Sequence, residues 1–496
     1  MEESPPKLAR IVTSRRTRTT AVIVASALFM QNLDSTVIAT SLPAIAADIG
    51  TNPLALKLAV TSYLLSLAVF IPASGWTADR FGARSVFRAA IVVFMLGSIG
   101  CAFANSLEGF VAARIVQGIG GAMMTPVGRL VLVRTIDKRE LVGAMAWVTI
   151  PALIGPVVGP PVGGFITTYA SWHWIFLINI PIGLIGIVLV TLYIDPIPAD
   201  HPEPFDGIGL LLAGLGVAGL AFGLSVAGLD MLPWQAIVAL IGGGAIAMAA
   251  YLMHARKIPA PVLDFSLLRY ATFRASLIGG FMFRIGVGAL PFLLPLMLQA
   301  GFGFTPFQSG LVTFAGAIGA IGMKTVAART IERYGFKRVL VVNALASSLF
   351  IAACAIYQPG MPAAILTAIL LVGGFFRALQ FTAVNTIAYA EIDQRQMSRA
   401  TALAAVGQQL SLSMGVAIGA LAVDLSMDWS GSNTLSPSHF TAAFLVVAAI
   451  AASSTVIFRR LPADAGAEMS GRKPAEPTPT KAEPIAAGET SDQRIG

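Results

Sequence analysis

Charge is what this sequence lacks: Asp, Glu, Lys and Arg make up 12% of its 496 residues, where a soluble domain carries about 25%. A chain so poor in charge cannot clothe a water-facing surface, which excludes a soluble enzyme. Cysteine is nearly absent. The two present, Cys101 and Cys354, fall in apolar runs far apart, leaving no disulfide or metal framework. The four histidines, His173, His201, His254 and His439, stand singly at or near the ends of apolar runs, without metal-ligand spacing. Neither a GxxxxGK phosphate loop nor a GxSxG elbow occurs, which disfavours transport driven by this chain's own ATP hydrolysis. No catalytic constellation, cofactor or metal is expected.

What fills the chain instead is apolar: 56% of residues are hydrophobic and the mean hydropathy is +0.78. Fourteen apolar stretches follow one another, from about 19 to 42 through to about 438 to 458, each long enough to cross a bilayer as a helix. Basic residues fall in every second loop: Arg15, Arg16 and Arg18 before the first stretch, Arg80, Arg84 and Arg88 after the second, Arg134, Lys138 and Arg139 after the fourth. The opposite loops offer Lys57 as their one clear base, so both termini are predicted to be cytoplasmic. The net charge of +8 is spread along one membrane face, where anionic lipid meets it, and is not gathered into a nucleic-acid site. The first stretch is too long for a signal-peptide core and carries Asp34 in its middle, so it reads as a retained span.

Two loops share one pattern. Asp79-Arg80-Phe81-Gly82-Ala83-Arg84 follows the second stretch and Glu332-Arg333-Tyr334-Gly335-Phe336-Lys337 follows the tenth: acid, Arg, aromatic, Gly, any residue, base. The match at equivalent places predicts a duplicated six-span half with two spans inserted between the copies. The chain then divides into a cytoplasmic segment 1–18, a six-helix bundle 19–194, an inserted two-helix segment with flanking loops 195–270, a second six-helix bundle 271–458, and a Pro-, Ala-, Glu- and Lys-biased tail 459–496 that reads as disordered.

The run Gly75-Trp-Thr-Ala-Asp79-Arg80-Phe-Gly82-Ala-Arg84 resembles the cytoplasmic signature loop of the major facilitator superfamily, with Thr77 and Ala83 replacing the usual Leu and basic residue. Four further segments add to it: Leu33-Asp34-Ser-Thr36 with Leu42-Pro43, Arg114-Ile-Val-Gln117-Gly118-Ile-Gly120, Gly155-Pro156-Val-Val-Gly159-Pro-Pro-Val-Gly163-Gly164, and Trp172-His-Trp174 through Asn179-Ile-Pro181-Ile-Gly183. Together they are similar to the fourteen-span drug:proton antiporters, over nearly all of residues 15 to 460; His173 stands where Arg is common in that family. The resemblance implies an all-α integral membrane protein of the major facilitator fold, two six-helix bundles plus two inserted helices. It also implies proton-coupled export of drugs or toxic small molecules through a cell membrane, the inner one in a bacterium. The partners implied are a small-molecule substrate, protons and the lipid bilayer, with the chain acting as a monomer. An exporter of organic anions or metal-chelating metabolites is the alternative reading, and a non-transporting membrane sensor or scaffold a remote one.

Particular residues carry that expectation. An ionised Asp34 near mid-membrane costs about 2.5–3.5 kcal/mol on insertion scales, which makes it the first candidate for proton coupling, against a purely structural ion pair with Arg114. Arg114, two turns inside the fourth stretch, must face a polar cavity or a partner, and Gln117 lies one turn along the same face. Gly155, Gly159 and Gly163 form a bare stripe, broken by Pro156 and joined by Gly164, that reads either as a hinge or sliding seam between halves or as a static close crossing. Gly75, Asp79, Arg80, Gly82 and Arg84, with Glu332, Arg333 and Gly335 in the second copy, read as a cytoplasmic latch that closes in the outward-open state. Arg284 and Arg377, mid-span in the second half with Gln380, Asn385, Gln408 and Gln409, are expected to line a substrate cavity. Two guanidinium groups there favour an anionic or zwitterionic ligand unless they reach across to Asp34.

Overall fold

The computed structural model describes residues 14–137, 140–196, 205–229, 231–432 and 434–470. Lys138, Arg139, His201 and the chain beyond 470 lie outside them. All regular structure among the described residues is helical. Thirteen helices are long and apolar enough to cross a membrane: Arg15–Thr40, Lys57–Phe81, Ala83–Ala102, Leu107–Thr135, Trp174–Tyr193, Gly207–Val226, Trp234–Ala255, Ala271–Gly301, Pro306–Lys324, Phe336–Ile356, Ala363–Ile387, Gln394–Ser430 and Pro437–Phe458. The helix Leu141–Tyr169 adds another of 29 residues with no charged side chain, so fourteen spans stand in the expected order. Helices are the form a lone segment must take where lipid offers its backbone no hydrogen bond. An even count brings both ends of the bundle's chain to one face, here the terminal face; the other is the far face.

The duplication is visible in how the spans pair. In the first half the first span packs on the fifth, the second on the fourth, the third on the fourth and sixth, and the first on the sixth. The second half repeats this set with the ninth on the thirteenth, the tenth on the twelfth, the eleventh on the twelfth and fourteenth, and the ninth on the fourteenth. The two loops match as well. Helix Ser74–Phe81 ends on Gly82 at φ 81° and helix Ala327–Tyr334 ends on Gly335 at φ 75°. Each glycine takes a positive φ that a side chain resists, and each reverses the chain directly into the next span.

Two seams join the halves, second span on thirteenth and fifth on tenth, which are the same pairing seen from either copy. Of the inserted pair, the seventh span packs on both the second and the thirteenth, while the eighth turns most of its surface outward. The terminal end of the inserted pair is held by Asp206, which caps the seventh span through Gly209 N and bonds His254 Nε2 at 2.7 Å. Another terminal-side tie is Glu140, which accepts hydrogen bonds from the Thr17 hydroxyl and from Ser14. The Thr17 bond first, then those from Ser14, hold its carboxyl below the usual range.

One expectation needs narrowing. The described part of the tail packs on the second bundle: Leu461 is buried, Gly466 lies under the Phe336 ring, and a short helix spans Glu468–Ser470. Composition pointed to disorder, but one leucine and a glycine beside an exposed span end suffice for a small satellite of the core.

The loop glycines supply a contrast that can be measured. Gly335→Ala should cost about 1–3 kcal/mol, whereas Gly75, helical with open space where a Cβ would sit, should tolerate Ala with no loss. Thermal unfolding of the two variants in detergent checks this, and equal shifts would contradict it.

Candidate functional site

Asp34, in the helix Arg15–Val37, is 1% exposed, yet its carboxylate is fully engaged. Oδ2 accepts from Arg114 Nη1 at 2.8 Å; Oδ1 accepts from Gln117 Nε2 at 2.8 Å and from Asn179 Nδ2 at 2.9 Å. Both amides also donate to Ser98 Oγ, at 2.8 and 3.2 Å. Arg114 is equally buried. It bonds the Gln117 carbonyl and the Ala59 carbonyl, and its guanidinium lies 4.2 Å from the centre of the Tyr63 ring. Low dielectric makes such a network costly unless every member is paired.

Small residues bring the helices close enough for it. A Cβ on Gly97 would sit 2.5 Å from the Gln117 nitrogen, and one on Gly118 2.5 Å from Ser66 Cβ, so the third and second spans touch the fourth backbone to backbone. The glycine stripe of the fifth span makes a close approach of the same kind. Gly155, Gly159 and Gly163 face Asn32, Thr36 and Val37 of the first span, inside their own half. The contact between halves is made instead by Gly164 against Pro306 and Phe307, and by Pro160 against Gly310. In this conformation Gly155, Gly159 and Gly163 cross the first span closely, while Pro160 and Gly164 meet the tenth.

A cavity of about 290 Å³ lies between the halves. The first and second spans line it with Gln31, Asn32 and Tyr63, the fourth with Arg114, and the ninth and thirteenth with Phe292, Gln408 and Gln409. Gln408 and Gln409 thus line a cavity between the halves. Gln117 does not: it is fully buried in the Asp34 network. Gln380 is turned toward the eleventh span, accepting from Asn343 and donating to the Leu340 carbonyl. Arg284, 4% exposed, donates to Asn385 Oδ1 at 2.7 Å and lies over the Phe381 ring, so it does not reach Asp34, whose acceptors are taken. Arg377 is partly exposed beside Gly316 and has no hydrogen-bond acceptor among the described residues.

The signature loops bond within their own half. Asp79 Oδ1 meets Arg134 Nη2 at 2.7 Å, Arg84 donates to the Thr191 carbonyl at 2.6 Å, and Arg80 is exposed. In the second copy Arg333 lies over the Tyr334 ring and Glu332 is exposed without an ion pair among the described residues. At the far end the halves are bonded across: Gln299 Nε2 to the Thr40 carbonyl, Phe307 N to Thr168 Oγ1, and Lys57 Nζ to Asp424 Oδ2. Lys57 is accordingly no loop residue. It opens the second span and is fully buried. Sequence reading also missed Asn179 as a partner of Asp34, and Ser98 as the acceptor that the Gln117 and Asn179 amides share; an Asn inside an apolar span was the available signal, since such a group must find a partner.

Comparison with known proteins gives one answer. The Major Facilitator Superfamily family model matches residues 24–268 and 276–490. The chain is 40% identical over 450 residues to the "Putative multidrug resistance protein MdtD" of Yersinia enterocolitica, covering 90% of this chain and 95% of that one. It is 39% identical over 456 residues to the protein of the same name from Salmonella typhimurium, with the same coverage. Among solved structures, a D-xylose-proton symporter aligns with a TM-score of 0.63 at 14% identity over 90% of this chain and 98% of that one. The human organic anion transporter MFSD10 aligns at 0.59 and 15% identity, over 90% and 100%.

The network predicts unequal costs for its members. Arg114→Leu leaves the Asp34 carboxylate buried without its counter-ion and should destabilise the protein by about 3–5 kcal/mol. Asn179→Ala removes one of two donors to Oδ1 and should cost about 1–3 kcal/mol. Unfolding midpoints of the purified variants rank them, and an inverted order would mean that Asn179, not Arg114, holds the carboxylate.

Proposed function

Because this chain belongs to the major facilitator superfamily, we propose that it is a secondary transporter that exports drugs or other toxic small molecules by alternating access, coupled to proton movement. It is a multi-pass membrane protein; its two six-helix halves rock about the central cavity, with the inserted pair riding between them and both termini in the cytoplasm. The observation that carries the reading is that the buried Asp34–Arg114 pair stands with its guanidinium on the cavity wall. The names of the MdtD relatives support the drug-export part of it.

The coupling follows from the geometry. While Asp34 is ionised, it holds Arg114, Gln117 and Asn179 in one arrangement. A proton on Asp34 cancels the charge that Arg114 answers, so the guanidinium seeks water or substrate in the cavity. Substrate and proton then compete through one residue, which is what exchange requires. Asp34 and Arg114 act as the coupling pair, Gln408 and Gln409 as polar contacts for substrate, and the Asp79–Arg134 link steadies the terminal end. A second reading, export of organic anions, rests on Arg377, which lies beside Gly316 outside the cavity lining expected for it and lacks an acceptor among the described residues.

Asp34→Asn keeps the shape of the side chain but cannot carry a proton. In liposomes with an imposed pH gradient it should abolish uphill efflux while substrate binding persists; uphill transport by the variant would reduce Asp34 to a structural role. Arg377→Gln should spare lipophilic cations and weaken anions if the second reading holds, and equal effects on both classes would remove it. Orientation is checked by a cysteine at Ser432, which should react with an impermeant maleimide from outside intact cells; protection there would place the termini outside.

A further inference from the structure

Lys57 is a buried cation that the coupling site does not use. Its Nζ lies 3.0 Å from Asp424 Oδ2 on the thirteenth span and 3.1 Å from the Ala227 carbonyl, where the seventh span ends. Three bodies meet at this one ammonium: the first half through Lys57, the second half through Asp424, and the inserted pair through Ala227. Lys57 is 0% exposed, but Asp424 borders an open vestibule of about 530 Å³ at the far face, shared with Asn52, Asn105 and Glu108. Gly228, at φ 81°, brings the end of the seventh span against Asp424: a Cβ there would sit 3.1 Å from its Oδ2.

The two seams differ in this respect. The fifth and tenth spans meet through glycine and proline, with no ion pair between them among the described residues, and neither inserted span packs substantially on them there. The second and thirteenth spans meet with an ion pair at the far end and the seventh span packed over both. We propose that Lys57, Asp424 and the Ala227 carbonyl form the lock that keeps the far face shut, and that the inserted pair is a working part of it. Resting on the alternating-access reading above, the lock must release Lys57 from both acceptors before the cavity opens to the far side. A lysine withdrawn from water has nowhere else to place its three donors, so closure recaptures it.

The test is accessibility of a cavity cysteine in the full-length protein. Leu412→Cys, lining the cavity, is introduced after Cys101→Ala and Cys354→Ala, and labelled from the far face with an impermeant maleimide, without substrate or gradient. Lys57→Gln and Asp424→Asn should each raise the labelling rate by about tenfold, whereas Lys57→Arg, which keeps the charge, should stay near the parent. Gly228→Ala, which crowds Asp424 from the seventh span, should raise it less. Rates near the parent for both Lys57→Gln and Asp424→Asn overturn the lock, as does a tenfold rise for Lys57→Arg; a parental rate for Gly228→Ala removes the inserted pair from it. Should Lys57→Gln fail to fold, Asp424→Asn carries the same decision with the lysine still bonded to Ala227. Proton coupling can fail in the Asp34→Asn assay without moving this readout.

Discussion

A carboxylate and a guanidinium shut away from water together set the terms for the first half of this protein. Each ion would cost several kcal/mol to bury without a partner, so the folded state has to meet nearly every lone pair and N–H they present. The groups that do so come from five of the six spans: Asp34, Ala59 with Tyr63, Ser98, Arg114 with Gln117, and Asn179. The remaining fifth span contributes no polar partner. It contributes absence, a stripe of glycines that lets it lie against the helix carrying Asp34. Helix packing here is therefore dictated as much by the need to satisfy one ion pair as by apolar contact, because lipid supplies little drive to bring helices together.

The second half repeats the packing without the ion pair. Its polar groups pair as amides and a guanidinium: Asn343 with Gln380, and Arg284 with Asn385. Duplication has kept the scaffold and let the chemistry diverge, so the first half lines the cavity with the charged Arg114 and the second half with the uncharged Gln408 and Gln409. One charged group facing a weakly polar wall leaves few fixed polar contacts to orient a bound molecule.

Much of this was legible in the sequence, for identifiable reasons. Span number followed from hydrophobic length alone, and the repeat from two hexapeptides whose glycines prove to be the positive-φ reversals that the pattern required. Asp34 with Arg114 was found because charge inside an apolar run is expensive enough to need a purpose. What failed was facing. Gln117, Gln380 and Arg284 sit at mid-span as read, but a helix places successive residues about 100° apart, and nothing in the sequence says which angle looks into the cavity. Lys57 failed differently: as the first residue of its helix it resembled a loop base, and its partner lies 367 positions away. The packing at the start of the tail was not legible because composition averages over its length, while Leu461 and Gly466 act singly.

The depth and connectivity of the two buried ion pairs separate their duties. Asp34 and Arg114 lie on spans of one half, so a rigid rocking of the halves leaves the pair intact. Only a change of charge, by proton or substrate, can disturb it. Lys57 and Asp424 lie on opposite halves, so the same rocking must pull them apart whatever their charge. The first pair is thus built to sense and the second to resist. Between them runs the second span, which offers Ala59 and Tyr63 to Arg114 and begins at Lys57, two residues earlier in the same helix. The two pairs therefore share one helix, with the carbonyl that Arg114 meets less than a turn from the lysine.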